Sequence, residues 1–342
     1  MLRSALYPAG RGACLPAPRS TARSPVHPAA HQTRQPTAPP FARPAARRAP
    51  RRAARLAGAC CALLLLALPA VADAQYFGRN RVRYEDFRFR ILRTPQYDVY
   101  YYGGDTRAVE DAARMAERWN TRLQQVFDHP LGADERKPII LYANKADFQQ
   151  TTVLPGFIGE GTGGVTESLR SRLIMPLTGS YADTDHVLGH EMVHVFQYDL
   201  AASDFDTLNV ALERMPLWFV EGLAEYLSIG RSDPLTSMWV RDAVLRDEFP
   251  TVEKLSDPRY FPYRFGHAFW AFVGSAWGDG IIAPLFRSVG ALGLERGVPH
   301  ALGIPVDSLS SRWKESAQAR ELAVAETRQA PEAFAEVLLS KQ

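Results

Sequence analysis

The segment His190-Glu191-Met192-Val193-His194 places two imidazoles four residues apart, with a glutamate directly after the first. On an α-helix, residues i and i+4 lie on the same face, one turn apart. Both imidazoles can therefore reach one metal ion, and the carboxylate of Glu191 can reach a water molecule beside that ion. Two histidine ligands, an open coordination position and a carboxylate base are the parts of a hydrolytic zinc site.

The residues around this segment predict the helix that the spacing requires. Apolar residues recur there at helical intervals, at positions 188, 192, 195 and 196. The run Asp-Thr-Asp at 183–185 supplies N-cap candidates just before the helix. Residues 172–178 are typical of a short strand that leads into the helix. We expect this strand to be an edge that lines a cleft and can pair with an extended peptide.

The rest of the chain predicts the fold class. Strand-like runs occupy 96–102 and 138–142, a helical stripe of apolar residues covers 105–127, and a glycine-rich loop spans 156–164. From 183 onward the pattern is almost entirely helical. A strand-containing N-terminal half, a helical C-terminal half and the metal helix at their junction predict an α+β fold with a cleft between the halves. We expect one domain at 75–325 and a tail at 326–342.

The N-terminal region predicts export. Residues 1–50 are rich in Pro, Ala and Arg without apolar periodicity, and we expect no core there. A basic stretch at 51–55, an apolar run at 60–68 and Ala72-Asp73-Ala74 together form a signal-peptide pattern over 51–74. The apolar run is short for a membrane span, so we expect cleavage and no stable insertion afterwards, with an uncleaved anchor as the alternative. The long extension also suggests a true start codon downstream of Met1.

Charge and cysteine content reduce the number of possible functions and metal ligands. Residues 1–74 contain 11 of the 40 Lys and Arg residues and 1 of the 37 Asp and Glu residues, which leaves 29 basic and 36 acidic residues in the remainder. That mildly acidic remainder does not favour nucleic-acid binding. All three cysteines, Cys14, Cys60 and Cys61, precede the predicted cleavage site. Disulfides and thiolate ligands are therefore not expected in a periplasmic or secreted product, and a metal site there must use His and carboxylate.

A catalytic zinc ion with two histidines needs one more protein ligand, usually a carboxylate. We favour Glu221, because Pro216 can begin a helix that contains it and the small Gly222 allows close approach to the metal helix. Glu225, one turn further on, can accept a hydrogen bond from a ligand histidine. Glu213, just before the proline, is the alternative ligand.

Taken together, these motifs resemble the gluzincin metallopeptidases. H-E-x-x-H at 190–194 is followed by W-x-x-E-G-x-A-E-Y at 218–226. The resemblance is to the peptidase MA-like domains of exported bacterial proteins and, more distantly, to the M1 family of aminopeptidases. The M1 motif N-E-G-F-A corresponds to V-E-G-L-A at 220–224, and the M1 motif Y-x-x-G corresponds to Tyr263-Arg264-Phe265-Gly266. The resemblance covers about 75–322.

This resemblance implies a two-lobed catalytic domain, one Zn²⁺ ion and a peptide or protein substrate. His190, His194 and Glu221 would hold the ion, Glu191 would be the general base, and Tyr263 would stabilise the oxyanion. The exopeptidase motif G-x-M-E-N has only a loose counterpart at 163–167, G-G-V-T-E, so an endopeptidase is favoured.

Several alternatives stay open at this point. Tyr260 could replace Tyr263 in the oxyanion role. His186 is expected near the cleft rim without a ligand role, and His267 either lines the cleft or packs in the core. The tryptophans lie in apolar helical windows and are expected in the core. A catalytically silent binding protein that keeps the same fold is the alternative function.

Overall fold

The computed structural model describes residues 84–103, 106–131, 136–153, 158–167, 171–204, 212, 215–329 and 333–336. All of these residues belong to one unit, Asp73–Gln342. The predicted extension and signal segment, 1–74, and the alternative ligand Glu213 lie outside the described residues.

A five-stranded mixed sheet forms the N-terminal half. Its strands are β1 (Arg90–Arg93), β2 (Tyr97–Tyr101), β3 (Lys137–Tyr142), β4 (Val165–Glu167) and β5 (Arg172–Pro176). Their order is β1-β2-β3-β5-β4. The β2–β3 and β3–β5 pairs are parallel, whereas β1 and β4 pair antiparallel with their neighbours at the two edges.

The expectation that strand 172–178 is the edge of a cleft is wrong. β5 lies inside the sheet, hydrogen-bonded to β3 on one side and to β4 on the other. The edge strand next to β5 is β4, which the sequence pattern did not reveal because three residues after a glycine-rich stretch show no periodicity. The predicted strands at 96–102 and 138–142 correspond to β2 and β3.

The two faces of the sheet carry different apolar clusters. Alternate side chains point to opposite faces of a strand. Ile139 and Leu141 accordingly join the main core, together with Leu173 of β5. Tyr142 and Ile174 face the other way, into a smaller cluster with Phe148. The main core continues between the helices.

Two long helices cover the main-core side of the sheet. α1 (Thr106–Phe127) connects the parallel strands β2 and β3 and matches the predicted helix at 105–127. A single turn, α2 (Lys145–Phe148), follows β3. α3 (Tyr181–Asp204) then runs from the end of β5 and contains the 190–194 segment. α1 and α3 pack directly against each other, so the sheet half and α3 share one core.

The N-cap expectation for α3 is also wrong. The helix begins at Tyr181, so residues 183–185 lie inside its first turns. Ser180 is the capping residue, because its Oγ accepts a hydrogen bond from the backbone N–H of Asp183 at 3.3 Å. Gly179 just before it has a φ of +82°, a left-handed turn that glycine adopts readily.

The C-terminal half is helical. Its helices are α4 (Leu217–Ile229), α5 (Pro234–Leu245), α6 (Pro262–Trp277), α7 (Ile282–Leu292), α8 (Leu294–Leu302) and α9 (Val306–Ala325). Short 3-10 turns occupy Glu253–Ser256 and Asp279–Ile281. The prediction of an α+β chain with strands first and helices after is confirmed.

Aromatic side chains fill much of this helical core. Trp218, Trp270 and Trp313 are fully buried, as expected, whereas Trp239 on α5 is exposed. Among the described residues, no single helix is long and apolar enough to cross a membrane, although the bent pair Pro262–Trp277 and Asp279–Leu292 passes that test by length and composition.

Candidate metal centre

Three side chains from two helices converge on one point. α3 contributes His190 and His194, and α4 contributes Glu221. The Nε2 atoms of the two histidines are 3.1 Å apart. Oε2 of Glu221 lies 3.2 Å from Nε2 of His190 and 3.3 Å from Nε2 of His194. The structure thus brings together the two histidines and the glutamate favoured from the sequence.

The size of this triangle fits a metal ion. Zinc binds nitrogen and oxygen ligands at about 2.0–2.1 Å with tetrahedral angles, which separates neighbouring ligand atoms by about 3.3 Å. The three observed distances, 3.1 to 3.3 Å, match that separation. The donor set of two imidazoles and one carboxylate also suits zinc chemically. These residues could therefore hold one such ion.

Glu225 supports His190 from the side opposite the triangle. Its Oε1 lies 3.1 Å from Nδ1 of His190, so it can orient the ring with Nε2 toward the triangle. Its Oε2 accepts a hydrogen bond of 3.0 Å from Nη1 of Arg264. The same Nη1 lies 3.3 Å from Asp233, whose carboxylate caps the N-terminus of α5. The predicted outer role of Glu225 is consistent with this position.

Gln197 supports the second histidine, and sequence reasoning missed it. Nδ1 of His194 lies 2.8 Å from Oε1 of Gln197, which accepts the ring hydrogen. The amide nitrogen of Gln197 donates to the carbonyl of Val220 at 3.0 Å. One side chain thus orients the ring of His194 on α3 and connects it to Val220, the residue before Glu221 on α4. The only sequence signal is that Gln197 lies three residues after His194, on the same helix face.

Glu191 is held by the edge of the sheet. Oγ1 of Thr166 on β4 lies 2.7 Å from Oε2 of Glu191 and 2.9 Å from its main-chain carbonyl oxygen. A Cβ atom at Gly164 would lie 2.8 Å from Cγ of Glu191, so the backbone before β4 approaches that side chain closely. The run 163–167, which had only loosely resembled an exopeptidase motif, is therefore the segment that positions this carboxylate.

Tyr263 completes the rim of the triangle. Its ring stacks on His190, with centroids 5.9 Å apart and planes inclined by 18°. Burial raises the pKa of its hydroxyl, and the nearby Glu221 raises it further, so the group stays protonated. Tyr260 cannot take its place, because its buried hydroxyl donates to the carbonyl of Glu248 at 3.0 Å.

The two other histidines considered in the sequence analysis, His186 and His267, have separate positions. His186 lies one turn before His190, half buried, with Nε2 3.4 Å from Oε1 of Glu225, so it is outside the triangle. His267 is buried and donates from Nε2 to the carbonyl of Gly230 at 2.8 Å. It therefore packs in the core, one of the two outcomes that the sequence left open.

His190, Glu221 and Glu225 shift one another's pKa values. Burial opposes a charge on His190, but its hydrogen bonds to Glu221 and Glu225 outweigh that effect and raise its pKa to about 10. Burial likewise opposes ionisation of both glutamates, and their contacts with the histidines more than offset it, which holds each carboxyl pKa well below its usual range. Both carboxylates are therefore ionised at neutral pH, as a cation site requires.

Two adjoining cavities open onto the triangle. A cavity of about 730 Å³ is lined by His194 and by apolar side chains that include Met215, Leu217 and Val220. A second cavity of about 420 Å³ is lined by His186, Glu225, Phe261 and Arg264. His190, Glu191 and Tyr263 border both cavities. The cluster thus lies along an open cleft that continues on either side of it.

Comparison with known proteins identifies no family for this chain. No protein-family model matches it, and no curated protein matches it. The side chains and their geometry are therefore the basis on which its chemistry can be inferred. That geometry provides a triangle of side-chain atoms that could hold a metal ion, a buried carboxylate beside it and a protonated phenol at its rim.

Proposed function

We propose that the protein is an exported zinc-dependent metallopeptidase, similar to the gluzincins, that hydrolyses peptide bonds. One observation carries this proposal: three metal-ligating atoms lie 3.1 to 3.3 Å apart, with Glu191 lining the same cavity. A surface pair of solvated histidines would not require a third converging ligand or buried partners behind each ring. Both are present here, in Glu221, Glu225 and Gln197.

His190, His194 and Glu221 would hold the ion, with Glu225 and Gln197 fixing the two rings. When bound, zinc polarises a substrate carbonyl and lowers the pKa of a coordinated water to about 7. Glu191 accepts a proton from the attacking water and later delivers it to the leaving amine. Thr166 keeps Oε2 of Glu191 in place through a hydrogen bond of 2.7 Å.

Tyr263 acts on the carbonyl oxygen. Its hydroxyl stays protonated, because burial and Glu221 raise its pKa, and so it can donate a hydrogen bond. Negative charge develops on the carbonyl oxygen as water adds, and a donor already in position stabilises that charge without reorganisation. The ring stacked on His190 keeps the hydroxyl at the rim of the triangle.

An internal peptide bond is the substrate that fits this cleft. The cavities extend on both sides of the His190–Glu191 region, so a chain can continue in both directions from the bond that is cut. The strand β4 lies at an edge of the described sheet, and its Thr166 bonds to Glu191. An extended peptide can pair with an edge strand of this kind. Together these features favour an endopeptidase.

Export is proposed from residues 51–74. Their basic, apolar and small-residue order predicts a signal peptide whose removal leaves Gln75 at the N-terminus. N-terminal sequencing of the protein recovered outside the cytoplasm should begin at or near Gln75. A mature protein that begins within 1–50 would contradict this part of the proposal.

The central test compares the wild-type protein with Glu191→Gln. Both proteins should contain one zinc ion, since Glu191 is not a ligand, and only the wild type should cleave a mixed peptide library. Mass spectrometry of the products measures cleavage, and elemental analysis measures zinc. If both proteins bind zinc and neither cleaves any peptide, the catalytically silent binding protein is the better description. Absence of zinc from both proteins after zinc loading would contradict the metal site itself.

A further inference from the structure

Two large aromatic rings lie exposed next to each other beside the cleft. Trp239 on α5 and Phe261, which caps α6, are each 40% exposed, and their ring centroids are 5.6 Å apart. Most other large aromatic side chains of the helical half are buried. Adjacent exposed apolar rings expose surface that is costly in water, and such patches commonly mark binding sites.

This pair is continuous with the metal centre. The ring of Phe261 lies 5.4 Å from that of Tyr263, which in turn lies 5.9 Å from His190. Phe261 and Tyr263 also line the same cavity of about 420 Å³. An unbroken row of four rings therefore leads from the solvent-exposed indole of Trp239 to an imidazole of the triangle. A molecule that lies in the cleft would meet this row directly.

Local contacts restrain the backbone that carries these rings. Phe261 precedes Pro262, whose ring fixes its own φ at the first position of α6. Trp239 lies on α5, whose capping residue Asp233 contacts Arg264, directly after Tyr263. A preorganised surface loses little conformational freedom when it binds a ligand. Both aromatic side chains can therefore contribute to affinity in spite of their exposure.

The chemistry beside the rings favours an apolar partner. Arg264 is the one lysine or arginine among the described residues that line this cavity, and it is already paired with Glu225 and Asp233. The exposed surface of α5 continues with Leu235 and Met238. Next to Trp239 and Phe261, the exposed surface therefore offers aromatic faces and aliphatic chains to a ligand.

We propose that Trp239 and Phe261 form a subsite that binds an aromatic or large aliphatic side chain of the peptide substrate. This inference rests on the proposed function, because the substrate is a peptide lying in the cleft. The ring distances place Trp239 no more than about 11 Å from Tyr263. An extended peptide advances about 3.3 Å per residue. The preferred side chain is thus at most about three residues from the one that lies beside Tyr263, on one side of the scissile bond.

Cleavage by the zinc-loaded full-length protein is the first readout. A peptide library scored by mass spectrometry should show enrichment of Phe, Tyr, Trp or Leu at one position, two to four residues from the cleaved bond. For a matched peptide pair with Phe or Ala at that position, kcat/KM should differ about tenfold. Phe261→Ala and Trp239→Ala should each reduce that ratio to about twofold or less. Leu245→Ala, which removes another exposed apolar side chain of α5, should leave the ratio unchanged.

Binding without turnover is the second readout and separates the two proposals. Zinc-loaded Glu191→Gln protein should bind the Phe peptide about tenfold more tightly than the Ala peptide in a fluorescence-anisotropy titration. Adding Phe261→Ala should abolish that difference. If the wild type cleaves nothing yet this binding difference is found, the peptidase proposal fails and the subsite stands. If peptides are cleaved but the Phe and Ala peptides behave alike, the subsite is overturned. A third outcome concerns the oligomeric state. If Trp239→Ala changes the mass measured by sedimentation but leaves the ratio of kcat/KM for the Phe and Ala peptides unchanged, the rings belong to an interface between copies of the chain and the subsite is overturned.

Discussion

Gly222 and Gly266 bring α4 and α6 into direct backbone contact. A Cβ atom at Gly266 would lie 2.0 Å from the carbonyl oxygen of Trp218 and 2.7 Å from Cα of Gly222. α4 carries the proposed ligand Glu221, and the first turn of α6 carries Tyr263. The spacing between these two groups is therefore set by a contact that only glycine permits. Gly222 and Gly266 therefore have a structural role, and the positions of Glu221 and Tyr263 depend on their contact.

Gly266→Ala should both destabilise the protein and disturb the proposed zinc site. A backbone clash cannot be relieved by rotating a side chain, so we expect the free energy of unfolding to fall by about 3 kcal/mol. Zinc affinity should fall as well, because Glu221 moves with α4. Urea unfolding and zinc titration measure the two effects. Gly280→Ala is the matched control, since a Cβ atom there meets nothing within 4 Å. Equal stability of Gly266→Ala and wild type would contradict the close packing.

The third ligand can be identified by metal retention. Glu221→Ala should abolish zinc binding, because only two ligands remain, whereas Glu213→Ala should retain one ion. Glu225→Gln keeps the shape but weakens the acceptor behind His190, and we expect it to lower affinity about 10- to 100-fold. Competition with a calibrated chelator measures all three. The reverse order for Glu221 and Glu213 would overturn the assignment.

Thr166 should matter for turnover and leave metal binding unchanged. Thr166→Val removes the hydroxyl 2.7 Å from Oε2 of Glu191 while keeping the side-chain shape. The carboxylate is then less well oriented, and kcat should fall about tenfold with zinc content at the wild-type level. Thr166→Ser retains the hydroxyl and should recover most of the loss. An equal fall of kcat in both variants would point to packing of β4 as the cause.

Tyr263→Phe isolates the proposed hydrogen bond to the carbonyl oxygen. Since that bond strengthens as charge develops, kcat should fall about 100-fold while KM changes little. Tyr260→Phe is the control, because its hydroxyl bonds to Glu248 and does not face the triangle. Steady-state kinetics on one fluorogenic peptide suffice. A larger loss in Tyr260→Phe than in Tyr263→Phe would refute the assignment.

The stability of chelator-treated protein should depend on pH in both directions. The pKa of His190 is raised to about 10 in the folded chain, so its contribution is complete below about 6.5 and is lost as the pH rises through 10. The pKa values of Glu221 and Glu225 are lowered, so their contribution is complete above the ordinary carboxyl pKa and is lost as the pH falls below it.

The contributions of His190, Glu221 and Glu225 to stability are all complete between about pH 4.5 and 6.5. The melting temperature without metal should therefore be highest in that range. A thermal-unfolding series across pH measures this. His190→Gln cannot titrate and should lose much of the alkaline decline. An alkaline decline of the same size in that variant would show that other groups cause it.

The helical part of the site could be predicted from sequence because its rules are local. Spacing of four residues places His190 and His194 on one face, whatever surrounds the helix. Glu221 could be predicted for a similar reason. Pro216 marks the start of a helix, and the small Gly222 after the glutamate indicates a close contact with another helix. In the same way, short runs rich in aromatic and β-branched residues predicted β2 and β3.

The partners of these residues could not be predicted, since they depend on contacts far apart in the chain. Thr166 meets Glu191 only because β4 pairs with β5 at the sheet edge, and the order of strands is decided by long-range packing. Gln197 reaches Val220 across two helices. Arg264 was read as part of a Y-x-x-G match, and nothing local indicated its contact with Glu225.

The position of Asp233 has a practical consequence for engineering this protein. Its carboxylate caps α5 and also faces Arg264, which bonds to Glu225 behind His190. A helix cap is usually a safe place to exchange Asp for Ser or Asn, because each satisfies the same backbone N–H groups. At this cap, the exchange would remove the negative charge that Arg264 shares between Asp233 and Glu225. A routine attempt to improve thermal tolerance at Asp233 would thus change the charge balance behind His190 in the proposed zinc site.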